Sequence, residues 1–430
     1  MLHRLDLRGT SGDNLRSSLP RPGAAKEPPV AAVQAILADV RARGDAAVRE
    51  CTERFDGVAI DELRVPQAEL DAALTNLSPL LREALEAAMA NILAFHRTQL
   101  HDEGQFDNNG IVIRSKRVPV DRAGLYAPGG RASYPSTVLM TAIPARVAGV
   151  TELVLCVPPD RDGNVAPEVL AAAALASVDE VYRIGGAQAI GAMAYGTESI
   201  RPVDVIVGPG NIYVSVAKRE VAGEGIVGVP SAFAGPSEVV VIADDTTPVD
   251  FAAIDVIVQA EHGPDGLAWL VTWSSEAADQ ISAAVERLVS ESPRQSEIEA
   301  TLADGGYAVV VDGPEQAMEV ANAIAPEHLE LMCAEPEGLV PLVRHAGAVF
   351  VGPYAPASVG DYLAGPNHVL PTYGSARFAG ALRVDDFTKV VHIVSIDEQT
   401  LARVAPHVVA IAEAEGLAAH AESVRIRWAP

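Results

Sequence analysis

The sequence predicts an α/β protein with two parallel sheets, a helical N-terminal region and a short C-terminal segment. Between Glu152 and Val351, short apolar runs alternate with helical stretches, the pattern of βα units on a parallel sheet. Before residue 100, apolar residues recur instead at helical spacing. The 430 residues exceed what one core organises, so two to three domains are expected.

From Pro28 to Phe55, Val33, Ile36, Leu37, Val40 and Val48 mark a helical segment that Asp56-Gly57 closes as a turn. Gln67 to Leu100, with Leu70, Leu77, Leu81, Leu85 and Met89, reads as one or two further helices. A short β-like piece, Gly110–Arg114, follows. The first strand set is then Glu152–Val157, Glu180–Ile184 and Asp204–Val207, with helices Glu168–Val178 and Ala187–Tyr195 between. The second set is Val239–Ala243, Ala268–Thr272, Ala308–Val311 and Ala348–Val351, separated by helices Val249–His262, Glu276–Ser290 and Pro314–Ala325. The two sets join near Pro230–Pro236. From Asp385 onward the chain is short, ends in a helical Leu401–Leu417 and buries little by itself, so it is expected to dock on something else.

Hydrophobic residues make up 49% and charged residues 21%, the balance of a globular protein. With 57 acidic residues against 32 basic ones, the net charge of -25 repels a polyphosphate backbone, so nucleic acid is not an expected partner. No uninterrupted apolar run reaches membrane-spanning length, and the charged N-terminus lacks the pattern of an export signal. Cys51, Cys156 and Cys333 lie far apart without a CxxC pair, as in a protein of the reducing cytoplasm, and read as small buried hydrophobes.

No G-x-G-x-x-G fingerprint follows any predicted strand, so ordinary dinucleotide binding is not indicated. Gly208-Pro-Gly-Asn211 leaves a strand and opens a helix, where it suits either a phosphate or sugar or simply a tight turn. Gly124–Gly130, with Tyr126, and Gly185-Gly-Ala-Gln188 occupy comparable positions beyond strand ends. Gln259 and His262 share a helical face at i, i+3 spacing; alone they favour a capping histidine, and a metal needs partners. Asp361 in Gly360-Asp-Tyr362 and His420 in Glu415–His420 are candidate partners, a mixed N/O set that suits zinc or manganese. Glu327-His328 sets a carboxylate beside an imidazole at a proline-defined turn, two bases of different pKa. His368 is intermediate, and the remaining histidines read as surface or core residues.

Taken in order, Gly124–Gly130, Ser133-Tyr-Pro-Ser136, Gly208–Lys218, Ala234–Glu238, Gln259–Gly263, Pro326–Glu330, Gly360–Thr372 and Glu415–His420 resemble the histidinol dehydrogenase family over roughly residues 25 to 427. The resemblance implies a cytoplasmic oxidoreductase acting on a CH-OH donor in histidine biosynthesis. It would oxidise L-histidinol through L-histidinaldehyde to L-histidine while reducing two NAD. One zinc per subunit would be held by Gln259, His262, Asp361 and His420, the last from the partner chain of a homodimer with shared sites. Glu327 and His328 would be the bases. Ser237, Gln259, His262, His328, Asp361, Glu415 and His420 would bind substrate, and Tyr126, Gln188 and Asn211 would bind NAD. The fold implied is a pair of Rossmann-like domains without the fingerprint. Residues 126–236 form one and 237–381, joined by the helical 25–125, the other; 1–24 and 385–430 are small terminal segments, the latter for dimerisation. The rival reading is a zinc hydrolase, in which the same metal activates water.

Overall fold

The computed structural model describes residues 1–20, 28–129, 133–230, 237–262 and 266–428, with the side chains of Asp13 and His262 outside that set. The chain divides into two compact units, Met1–Gln99 with Asp121–Phe387, and Leu100–Val120 with Thr388–Pro430.

The first unit contains two parallel sheets. The larger has six strands in the order His3–Asp6, Gly306–Val310, Leu267–Thr272, Glu238–Ala243, His328–Met332 and Ala348–Val351. Its four inner strands are buried at every residue, because helices cover both faces. Val239, Val241, Leu270 and Ala308 pack in one core with residues of helices Val249–Val258 and Ser275–Glu291; Val240, Ile242, Trp269, Leu329 and Leu331 pack with helix Pro314–Ile324. The strict alternation between the two cores is the period-two signature of a strand.

The smaller sheet runs Glu180–Tyr182, Glu152–Cys156, Arg122–Tyr126 and Val205–Val207, all parallel. Helices Val30–Arg43, Gly186–Tyr195 and Ile212–Gly223 close a core over Tyr126, Val154, Cys156 and Ile206. Buried Arg122 bonds Glu152 at 2.7 Å and Glu180 at 2.5 Å, tying three strands together at their start. All three cysteines are free and buried.

The second unit holds a three-stranded antiparallel sheet, Thr388–Ser395, Ile111–Pro119 and Gly104–Asn108, and helices Glu398–Ala414 and Ala418–Trp428. Asn109 (φ 52°) and Gly110 (φ 88°) make the hairpin turn, so the β-like piece at Gly110–Arg114 is the start of a longer strand.

Several expectations are corrected. His3–Asp6 and Arg122–Tyr126 are strands that apolar runs do not reveal, since each carries charge. The helix from Val249 ends at Val258, and Ala260–His262 is a separate 3-10 turn. Glu327-His328 is not simply a turn: Ala325, in the left-handed region at φ 58°, ends the preceding helix, and His328 opens a buried strand paired with Val239 and Ala348.

Candidate active site

The connection of helices and strands puts two different strand ends at one place. Tyr126, Gly185 and Gly208 lie at or just past the carboxyl ends of small-sheet strands, where open α/β sheets bind ligands. From the large sheet come the amino ends: Ser237 precedes Glu238–Ala243, and Glu327 precedes His328–Met332. Gln259 follows the helix that returns from the first of these strands. A cavity of about 320 Å³ is walled by Gly208–Gly210, Ser237, Gln259, Glu327, His328, Asp361 and His368.

Asp361 reaches the cavity from the last turn of helix Ala357–Tyr362. Its Oδ1 lies 3.2 Å from His328 Nε2, while His328 Nδ1 lies 3.2 Å from the Glu238 carbonyl and 3.7 Å from Glu327 Oε2. Both imidazole nitrogens thus face acceptors. Burial opposes charge on the ring, but Glu327 and Asp361 outweigh it and raise His328 to about 9. Burial pushes the Glu327 carboxyl up to about 7, against the pull of His328 and of the Glu238 N–H, which donates to Glu327 Oε2 at 3.0 Å. Burial, aided by Glu327, pushes Glu238 up to about 8. A carboxyl group with a pKa near neutrality is suited to proton transfer at ordinary pH.

His368 anchors the other side. Its Nδ1 sits 2.8 Å from the Asp361 carbonyl and its Nε2 3.2 Å from Thr137 Oγ1. Beside it, Asn367 donates to the Met140 carbonyl at 2.5 Å, pinning the Gly365–Thr372 segment to the helix Pro135–Ala148.

A second cavity, of about 1100 Å³, adjoins the first at Pro128 and is lined by Tyr126, Gln188 and Asn211 together with Asp56 and Pro158. The Tyr126 hydroxyl accepts the Gly186 N–H at 3.0 Å, and burial raises its pKa. Asn211 caps helix Ile212–Gly223, accepting from the N–H groups of Tyr213 and Val214. The tight-turn reading of Gly208–Asn211 is therefore realised and leaves the Asn211 amide N–H₂ for other work. Gly208 has φ +105°, and a Cβ there would stand 2.0 Å from the Tyr126 carbonyl oxygen, so only glycine lets the loop lie against that strand.

The histidinol dehydrogenase family model matches residues 19–428. A histidinol dehydrogenase of Parasynechococcus marenigrum is 50% identical over 92% of this chain and 90% of its own, and that of Pseudomonas putida 49% identical over 91% and 89%. The chain belongs to the histidinol dehydrogenase family. The crystal structure of histidinol dehydrogenase from Elizabethkingia anophelis superposes with a TM-score of 0.92 at 35% identity, covering 98% of this chain and 97% of that one. The protein is thus an oxidoreductase, a histidinol dehydrogenase of histidine biosynthesis.

Within this dehydrogenase the fold brings together Ser237, Gln259, Glu327, His328 and Asp361 at one cavity, and Tyr126, Gln188 and Asn211 at the other. Residues 130, 234–236 and 263 of the family-like motifs lie outside the described residues, as does the His262 side chain. Exposed Glu415 and His420 belong to the second unit. Among the described residues no three His, Cys, Asp or Glu side chains form a metal cluster. No helix among them is long and apolar enough to cross a membrane. Sequence reading missed Glu238 and left His368 undecided. The signal for Glu238 was available, a carboxylate opening the otherwise apolar run Glu238–Ala243.

Proposed function

We propose that the enzyme oxidises L-histidinol to L-histidine by way of L-histidinaldehyde, reducing two NAD in succession, with zinc in the smaller cavity. The observation that carries this reading is the meeting of Glu327 and His328 with Gln259 and Asp361 on one cavity wall, beside a larger cavity lined by Tyr126, Gln188 and Asn211.

In the first oxidation, hydride leaves the carbinol carbon for NAD as His328 takes the hydroxyl proton, giving the aldehyde and NADH. In the second, Glu327 takes a proton from water as it adds to the aldehyde; a second hydride then leaves the hydrate carbon for another NAD, giving the acid.

The donor set fits a metal. Gln259 and Asp361 both line the void, and their amide and carboxylate groups, with His262 and the His420 of a second chain, would make a mixed N/O sphere suited to zinc. Zinc, when bound, supplies positive charge that orients the nitrogens of the substrate. With Asp361 engaged by a metal, Glu327 and the Glu238 carbonyl would hold the ring proton at Nδ1, and His328 Nε2 would be the nitrogen that serves as base.

The two parallel sheets serve as Rossmann-like domains without the fingerprint, the small sheet, with strand Arg122–Tyr126 and the covering helix Val30–Arg43, carrying NAD and the large sheet carrying the bases. The C-terminal segment serves as the dimerisation element: Ile411, Ile426 and Val394 are more than half exposed, an apolar surface suited to a second copy. Ser237, Glu415 and His420 contact substrate in the shared site. The three free cysteines accord with a cytoplasmic enzyme.

Dialysis against a chelator tests the reading. Loss of histidinol oxidation, restored by zinc and dependent on NAD, is the expected result. Chelator-resistant oxidation would refute the metal role, and NAD-independent turnover of an ester or amide would favour a zinc hydrolase.

A further inference from the structure

Behind the cavity wall lie two buried acids that the reaction above does not use. Glu330 stands two residues along the strand from His328, so both side chains leave the same face of the sheet. It is 1% exposed, and its Oε1 accepts the N–H of Ala357 at 3.0 Å. Ala357 opens the helix that carries Asp361. An N–H at a helix start has no partner inside the helix, so this bond fixes where that short helix begins.

The other acid is Asp255, 6% exposed, in helix Val249–Val258 and one turn before Gln259. Its carboxyl group lies within hydrogen-bonding reach of that of Glu330. Among the described residues Glu330 Oε2 has no N–H or O–H donor within reach, so the bond between the two acids requires a shared proton. Burial, followed by the charge of Asp255, drives the Glu330 carboxyl well above its ordinary range, and burial raises Asp255 too.

Packing closes the same frame from the neighbouring strand. Phe350 stacks on the His328 ring at 5.9 Å between centroids and 22° between planes. Gly360, next to Asp361, lies against Phe350 so closely that a Cβ would fall 2.4 Å from its Cε1.

We propose that Glu330 and Asp255 are positioning residues, a proton-sharing acid pair that ties the helix ending at Gln259 to the strand of His328 and the helix of Asp361. The pair touches no substrate. It sets the separation of Gln259 and Asp361, and through them the grip on the metal. This rests on the zinc reading of the cavity.

The test uses the full-length dimeric enzyme and variants Glu330→Gln, Glu330→Ala and Glu330→Asp. Zinc affinity is measured without turnover, by competition with a chromophoric chelator, and kcat and KM for histidinol separately. Glutamine keeps an oxygen for Ala357 and offers an N–H to Asp255, so zinc affinity and KM stay within about twofold of the parent. Alanine removes both bonds, and zinc affinity falls about tenfold or more, as for other groups that orient metal ligands. If alanine does not fold, aspartate, one methylene short of Ala357, shows the same loss. A Glu330→Ala enzyme of lower Tm but parental zinc affinity and KM would overturn the proposal, as would a glutamine variant as impaired as alanine. Should the parent itself bind no zinc, the zinc reading fails; the positioning claim is then decided by whether kcat/KM falls in alanine and survives in glutamine.

Discussion

Replacing Glu327 by glutamine is expected to separate the two proposed oxidations. The side chain keeps its volume, and its oxygen still accepts the Glu238 N–H that now lies 3.0 Å from Glu327 Oε2. What disappears is basicity: burial holds the carboxyl near 7, so at neutral pH a large fraction is ionised and able to take a proton. Removing a positioned general base slows the step it serves by about 10²–10⁴-fold, or roughly 3–5 kcal/mol in the barrier. In the proposed mechanism the first oxidation uses His328, whose Nδ1 keeps its contact with the Glu238 carbonyl. Glu327→Gln is therefore expected to change the first hydride transfer less than about tenfold while the aldehyde-to-acid step falls by the full factor. Single-turnover stopped-flow absorbance, begun once from histidinol and once from histidinaldehyde, reads the two steps separately. Equal slowing of both, or acid formation at the parental rate, would refute the division of labour.

Two further outcomes follow from the same geometry. Mixing inactive His262→Ala and His420→Ala chains should regenerate about a quarter of the parental activity after random exchange, because with the proposed shared sites each hybrid dimer would hold one intact site; no recovery despite exchange proven by mass spectrometry would place both histidines in one chain's site or neither. Glu238, raised from 4.5 to about 8 chiefly by burial, keeps a proton in the folded chain that the unfolded chain releases. Its contribution to stability is thus complete below about 4.5 and is lost as pH rises to about 8, a change of a few kcal/mol at most. Glu238→Gln should flatten the fall in Tm between pH 5 and 8, and an unaltered slope would show that Glu238 is ionised in the folded enzyme.

The readability of the sequence varied with what each segment does. Val239–Ala243 and Ala268–Thr272 are legible because a strand buried on both faces is a continuous apolar run. His328–Met332 is an inner strand of the same sheet, yet the two chemical residues His328 and Glu330 interrupt its run, so it reads as a turn. Function there obscures the local pattern. Arg122–Tyr126 is hidden similarly by Arg122, whose charge is met by Glu152 and Glu180, partners 30 and 58 residues away. Asn109-Gly110 was a missed hairpin signal that local chemistry does contain. The candidate site residues were legible as an ordered set of motifs, whereas Glu238, Phe350 and Asp255 matter through contacts across the fold that no spacing encodes.

In the proposed mechanism one site performs two oxidations in sequence. Purified enzyme given limiting L-histidinol and excess NAD, with NADH and histidine quantified in the same sample, tests it most directly. Two NADH for each histidine, with no free aldehyde accumulating, is the predicted result. One NADH per substrate with aldehyde released, or histidine formed without NAD, would contradict it.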